Sequence, residues 1–424
     1  MRERAMGRVA LITNGSYGDV APYAGLGQQL RTAGHAVRLA ALSTYESPAV
    51  DAEIDFTPLP SEDHSTLLES ERAQRANKGG AVGAAALLGL GVEAMRAQLP
   101  VMVEAAADAD VVACSMSTLL LAGPIAEARG VPLLVLPLQP ATPTREHGPL
   151  PLGGRDLGPW MNRVSAEVFG RFATRMFAPL VADLRDSLGL PPAGSPRRRA
   201  GYAIEELPVL YGFSPAVVPR PTDWPKAVDI AGYWWPPTPG RSWDPPAELV
   251  EFLADGPPPV FLGFGSMRHV PVPVIAKVVT EMIVRTGHRV IVQRGWARID
   301  VDSPNALVID HVPHSWLFPQ VAAVVHHAGA GTTAAGLRAG VPAVPVPVAH
   351  DQPFWARRLV TLGAAPTIIP LRRLSGPRLA DAIVRAVGTP AHRRRATAIA
   401  DRLRNEDGAA HVEAAVRQLT AATA

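Results

Sequence analysis

Cysteine is almost absent: Cys114 is the only one in 424 residues. That excludes an internal disulfide and any multi-cysteine metal site, and it fits a reducing compartment. Long hydrophobic runs are also missing. The best membrane candidate, AVGAAALLGLG at 81–91, is much shorter than the ~20 residues a spanning helix needs, so it reads as a core helix or a mobile wall. A strong charge of one sign is lacking too, with a formal net charge of +3. Only Arg197-Arg198-Arg199 and Arg393-Arg394-Arg395 are basic runs, and both read as solvated faces, not nucleic-acid contacts. The apolar run of MRERAMGRVALITNGS ends in a turn without a small-residue cleavage site, so a cytoplasmic protein is expected. What is present is 47% hydrophobic and 19% charged residues, with 43 prolines and 37 glycines dispersed along the chain. Such a chain can bury a sizeable core, and its length favours two domains.

Two passages alternate strand and helix signals. In the first, RVALIT (8–13), AVRLAAL (36–42), VVACS (111–115) and PLLVLPL (132–138) are apolar runs separated by helix-like segments. Runs apolar on both faces belong to a parallel, doubly wound sheet. Longer irregular and helical material interrupts it at 61–108 and 139–205. A proline- and tryptophan-rich stretch, 214–246, looks like an interdomain connection. The second series is PVFLGFGS (259–266), RVIVQRG (289–295), ALVID (306–310), AAVVHH (322–327) and PAVPVPV (342–348). The expected architecture is α/β, two Rossmann-like domains facing across a cleft: 1–217, a linker at 218–258, and 259–424, whose last helix is a candidate to pack back on the first domain. Ligands of such folds bind at the carboxyl ends of the strands.

The segment VVHHAGAGTTAAGLRAGVPAVPVPVAHDQ, Val324 to Gln352, carries the densest chemistry. A strand ending at His327 and a helix starting near Thr333 enclose a turn of Gly329, Gly331, Thr332 and Thr333. Glycines let the backbone approach closely, threonines add hydroxyl donors, and a helix N-terminus attracts anions, so a phosphate or diphosphate is a natural ligand. An ordinary tight turn with a satisfied histidine is the alternative. A dinucleotide fingerprint is disfavoured, because the third glycine, Gly336, comes two residues late and no acid ends the following strand. Asp108/Asp110 and Asp300/Asp302 imitate a DxD metal motif short enough to arise by chance, and no metal site is expected. There is no GxSxG elbow.

Nearly the whole chain resembles the inverting, two-Rossmann-domain (GT-B, family one) nucleotide-sugar glycosyltransferases, in their bacterial antibiotic and sterol-glucosyltransferase forms. HVPHSWLFPQVAAVVHHAGAGTTAAGLRAGVPAVPVPVAHDQPFWARRL resembles the donor-binding signature, YGFSPAVVPRPTDWPKAVDIAGYWW a stretch before the second domain, and NGSYGDVAPY the acceptor-side loop. The resemblance implies that His327, Gly329, Gly331, Thr332, Thr333 and Ser266 bind the donor diphosphate and that Asp351 and Gln352 bind sugar hydroxyls. Trp296 and Val312, in the HVPHSW loop, are candidates for the nucleobase wall. The stacking tryptophan of the plant branch would fall near Ile309, so the base is open between uracil and thymine. No cofactor is implied; the partners are a UDP- or dTDP-sugar and a lipophilic hydroxylated acceptor such as a sterol or polyketide.

The same resemblance makes Asp19 the general base, with Ser16 and Gly18 in its loop. Plant relatives use a histidine oriented by an aspartate, whose counterpart here, CSMSTLL, holds no acid. A carboxylate is ordinarily unprotonated near neutral pH and needs no partner to fix a tautomer. From the residues alone, a helix N-cap is the favoured reading of Asp19, with Ser16 and Asp19 satisfying free N–H groups. A nucleotide-sugar epimerase of this fold, or a catalytically silent binding partner, are the alternatives.

Overall fold

A computed structural model describes residues 6–61, 80–192, 207–237, 243–265, 272–295 and 298–423. The chain divides into two compact units. Unit 1 comprises Met1–Pro215, Arg220–Thr238 and Asp407–Ala424, and unit 2 comprises Ala216–Pro219 and Pro239–Glu406.

Unit 1 is built on strands β1 (Arg8–Ile12), β2 (Ala36–Leu42), β3 (Asp55–Leu59), β4 (Val111–Cys114), β5 (Leu133–Val135), β6 (Val209–Tyr211) and β7 (Val228–Ile230). Their order is β3-β2-β1-β4-β5-β6-β7, and every pairing is parallel. Parallel pairing forces a crossover after each strand, and helices such as Tyr17–Thr32 and Leu119–Arg129 make those crossovers. They bury both faces of the sheet, which is why β4 and β5 read as uninterrupted apolar runs.

The stretch expected as a linker is divided differently. Residues 220–238 belong to unit 1, where β7 extends the sheet, and Trp234 packs edge-on to Tyr23 at 6.3 Å between centroids. A Cβ on Gly25 would lie 1.7 Å from the Trp235 carbonyl oxygen, so only glycine admits that crossing of backbone over helix Tyr17–Thr32. Helix Gly408–Thr423 also counts with unit 1, placing Ala409, Val412 and Val416 in its core and holding His411 Nδ1 2.6 Å from the Ala231 carbonyl.

Unit 2 contains β8 (Val260–Gly263), β9 (Val290–Gln293), β10 (Ala306–Ile309), β11 (Ala323–His326) and β12 (Ala343–Pro345), ordered β10-β9-β8-β11-β12 and again parallel. Helices Val272–Thr286 and Gly376–Gly388 pack against one face, closing a core with Leu262, Val292 and Val325. Arg393 is not the solvated residue its run suggests: its guanidinium donates to the carbonyls of Val321 (3.2 Å), Ala322 (2.8 Å) and Gly340 (3.4 Å). Those three carbonyls lie outside the strands and helices, where the guanidinium supplies them with donors. The other run, Arg197-Arg198-Arg199, lies outside the described residues.

Strand order reverses between β1 and β4 in unit 1 and between β8 and β11 in unit 2. At such a point the crossovers leave in opposite directions and open a crevice beyond the strands' carboxyl ends.

Candidate active site

In unit 1 the crevice begins where β1 runs into Thr13-Asn14-Gly15-Ser16 and helix Tyr17–Thr32. Asp19 sits in the first turn of that helix. Its Oδ2 accepts the Ser16 N–H at 2.8 Å and the Ser16 hydroxyl at 2.9 Å, while Gln139 Nε2 donates to Oδ1 at 3.3 Å. Thr13 Oγ1 donates to the Asp19 carbonyl at 3.1 Å. The carboxylate is folded back over Gly15, whose φ is +142° and where a Cβ would stand 2.5 Å from Oδ2. Glycine is required there on both counts. The N-cap is therefore Ser16 and not Asp19, which stands at the third helical position and reaches back to Ser16; those contacts also fix its carboxylate at the edge of a cavity of about 190 Å³.

That cavity is lined by Thr13, Asn14, Asp19, Tyr23, Ser115, Met116, Ser117, Leu138 and Gln139, which stand beyond β1, β4 and β5 and on the helix. The stretch after β4 offers hydroxyls in place of an acid. Ser115 Oγ lies 2.8 Å from Ser117 Oγ, Ser117 Oγ donates to the Asn14 carbonyl at 3.1 Å, and Thr118 Oγ1 donates to the Ile12 carbonyl at 2.9 Å. These bonds tie the end of β4 to the end of β1. Tyr23 donates its phenol to the Leu136 carbonyl, and burial pushes its pKa well above that of an ordinary tyrosine, so it remains a neutral donor. Sequence reasoning missed Asn14, Tyr23 and Gln139; the rule that ligands gather beyond strand ends would have found the first and last. Gly18, in the first turn of the helix, is exposed.

In unit 2 the same construction carries different side chains. His326 ends β11 and accepts the Ala328 N–H on Nδ1 at 3.1 Å, which holds Ala328 at φ +63°, unusual without a glycine. His327 follows, half-buried, with its ring against two glycines: a Cβ on Gly265 would lie 3.2 Å from Cε1 and one on Gly329 2.4 Å from Nε2. Burial pushes the His327 pKa down to about 4, against the pull of the Gly263 carbonyl. A neutral imidazole carries one N–H, for which a bound oxyanion and the Gly263 carbonyl would compete.

Gly329 is the N-cap of helix Ala330–Arg338. The Thr333 N–H donates to the Gly329 carbonyl at 2.9 Å, so the Thr333 amide is committed to the helix and the open donors are those of Ala330, Gly331 and Thr332. The Thr333 hydroxyl is buried and has no partner among the described residues. A Cβ on Gly331 would meet nothing within 4 Å. Three amides, a helix dipole and an uncharged donor around open space are suited to a diphosphate.

Asp351 and Gln352 follow β12, next to β11 in the sheet, at the start of helix Gln352–Thr361. The Gln352 Oε1 accepts the N–H groups of Val348 (2.8 Å) and Ala349 (3.1 Å), and Asp351 Oδ2 accepts the Trp355 indole N–H at 2.8 Å. Both residues thus shape the turn in which they stand, with His350 at φ +57°. The Val312 side chain is buried in the core with Phe261 and Ile309, leaving only its backbone to face a base. Ser266 and Trp296 lie outside the described residues. Asp108 and Asp110 are engaged by Arg38 at 2.8 Å and Arg8 at 3.2 Å, and these arginines stand near the amino ends of β2 and β1.

Residues 277–419 match the family described as erythromycin biosynthesis protein CIII-like, C-terminal domain. Sterol 3-beta-glucosyltransferase UGT80B1 of Arabidopsis thaliana is 33% identical over 97% of this chain and 68% of its own length. O-mycaminosyltylonolide 6-deoxyallosyltransferase of Streptomyces fradiae is 36% identical over 95% of this chain and 94% of its own. The chain belongs to the GT-B glycosyltransferases. Among solved structures, the glycosyltransferase of kitacinnamycin superposes with a TM-score of 0.72 at 20% identity, covering 99% of this chain and 100% of that one, which shows the shared fold. No helix among the described residues of this glycosyltransferase is long and apolar enough to cross a membrane.

Proposed function

We propose that this glycosyltransferase moves a hexose from a UDP- or dTDP-sugar to a hydroxyl of a lipophilic natural-product acceptor, inverting the anomeric carbon in one displacement. Asp19 takes the hydroxyl proton as the glycosidic bond forms. The departing diphosphate meets His327 and the amides of Ala330, Gly331 and Thr332, and Asp351 and Gln352 hold the sugar. Removing one such preorganised donor typically costs about 3 kcal/mol in the transition state. No cofactor and no metal enter this mechanism, since protein dipoles neutralise the leaving group.

The observation that carries the reading is the pairing of chemistries at the two strand-order reversals: a fixed carboxylate in unit 1 and an uncharged, amide-rich anion site in unit 2. The names of the two relatives, which join sugars to a sterol and to a macrolide, agree with it. An apolar acceptor body is supported by helix Pro159–Ser187 of unit 1, where Met161, Val168 and Phe172 share one helical stripe and are all exposed, beside Trp160 at 70% exposure. Neither the epimerase nor the silent-partner alternative has an observation in its favour. The test is transfer from UDP-glucose and from dTDP-glucose to a panel of sterols and polyketide aglycones, followed by mass. A hexosylated product is expected; donor consumption without any product would overturn the reading.

A further inference from the structure

A chain of amides fixes the orientation of the Asn14 side chain, a residue that lines the unit 1 cavity. The Pro60 carbonyl can only accept, so Gln98 turns its Nε2 toward it, at 3.1 Å. That leaves Gln98 Oε1 facing Asn14, which must present Nδ2, at 2.6 Å. Turning the Asn14 amide over would set two oxygens against each other, so its orientation is determined from Pro60 inward. What remains is Asn14 Oδ1, an acceptor on a residue only 4% exposed, buried and without a partner among the described residues. Asn14 and Asp19 line the same cavity. A buried acceptor with no donor is costly, so a ligand that supplies one is favoured.

The neighbouring hydroxyls do not supply it: Thr13 Oγ1 donates to the Asp19 carbonyl, Ser117 Oγ to the Asn14 carbonyl, and Ser115 Oγ lies within reach of Ser117 and Thr118. The reacting hydroxyl does not supply it either, because it has one hydrogen and that hydrogen goes to Asp19. We propose that Asn14 Oδ1 receives a hydrogen bond from a second hydroxyl of the acceptor, adjacent to the reacting one, so that the cavity selects a diol over an isolated alcohol. This rests on the reading of Asp19 as the base and narrows the acceptor class from lipophilic alcohols to those with neighbouring hydroxyls, as polyketides carry.

The experiment compares kcat/KM for a 3-hydroxysteroid and its 2,3-dihydroxy counterpart, which share one apolar body, in the wild type and in Asn14→Leu. The wild type should prefer the diol by about 10-fold or more, since a site built around a hydroxyl penalises the analogue that lacks it. In Asn14→Leu the ratio should fall to about one. A ratio within one protein does not depend on how much of the variant is folded, and the wild-type ratio needs no variant. Equal kcat/KM for both acceptors in the wild type overturns the proposal, as does a preference that persists in Asn14→Leu. Transfer to neither steroid nor to any other hydroxylated acceptor overturns the glycosyl-transfer reading beneath it, a different result from equal transfer to both.

Discussion

The crevices of units 1 and 2 are the same construction with opposite endings. In each, a buried central strand turns through glycine into a helix where the strand order reverses. In unit 1 the chain caps its own helix: Ser16 and Asp19 engage each other, and the carboxylate is left facing a polar cavity. In unit 2 glycine stands where Ser16 does, at Gly329, and threonine where Asp19 does, at Thr332, so no carboxylate folds back over the helix end and its amides are left open. The proposed roles rest on that difference: a proton acceptor where the chain closes its own helix end, and a phosphate site where it does not.

A large effect that would break this contrast is expected in unit 2. His327→Ala removes an uncharged donor and should lower turnover about 100-fold, with a matching loss of nucleoside diphosphate affinity and little change in melting temperature. Calorimetric titration with UDP and dTDP, beside steady-state kinetics, would show it; unchanged affinity and turnover in a folded variant would remove His327 from the donor site. A smaller effect is expected from Gly329→Ala, whose Cβ would collide with His327 Nε2 and displace the ring: about 10-fold weaker diphosphate binding, read by the same titration.

Acid should separate the two units next. The pKa of His327 lies at about 4 and that of His314 at about 3, and His326 is held well below the ordinary 6.5, each chiefly by burial in unit 2. A folded pKa below the unfolded one means that the unfolded chain binds more protons, so unit 2 loses stability as pH falls from about 6.5 through about 4. Lowered carboxylates of unit 1, such as Asp156 and Asp223, act only below their ordinary 3.8. Hydrogen exchange at pH 7 and 4.5, corrected for intrinsic rates, should show β11 losing protection while β4 keeps it. The smallest effect is none at all: EDTA should leave transfer unchanged, and loss restored by magnesium or manganese would return attention to a metal.

The central strands of both sheets were legible because doubly buried strands are written as apolar runs, VVAC and VIVQ among them. The edges were not. β7 lies within a proline- and tryptophan-rich passage and consists of Val228–Ile230, too short for its one buried valine to reveal a period. The turn from His327 to Thr333 stood out by its composition, but glycine and threonine after a strand also make an ordinary tight turn, and only the family resemblance favoured a diphosphate there. What could not be read is which polar groups are already committed. Only coordinates show that Thr333 gives its amide to Gly329, that Gln352 holds the Val348 and Ala349 amides, and that Gln98 fixes the Asn14 amide from 84 residues away.

The central claim is that Asp19 is a base and more than a capping partner of Ser16, and Asp19→Asn tests it most directly. An asparagine here keeps one oxygen to accept the Ser16 N–H but cannot take the acceptor's proton. With both substrates varied, turnover should fall by about 100-fold or more while nucleoside diphosphate affinity and melting temperature hardly move. Near-normal turnover at saturating acceptor would contradict the account and leave Asp19 as a capping partner alone.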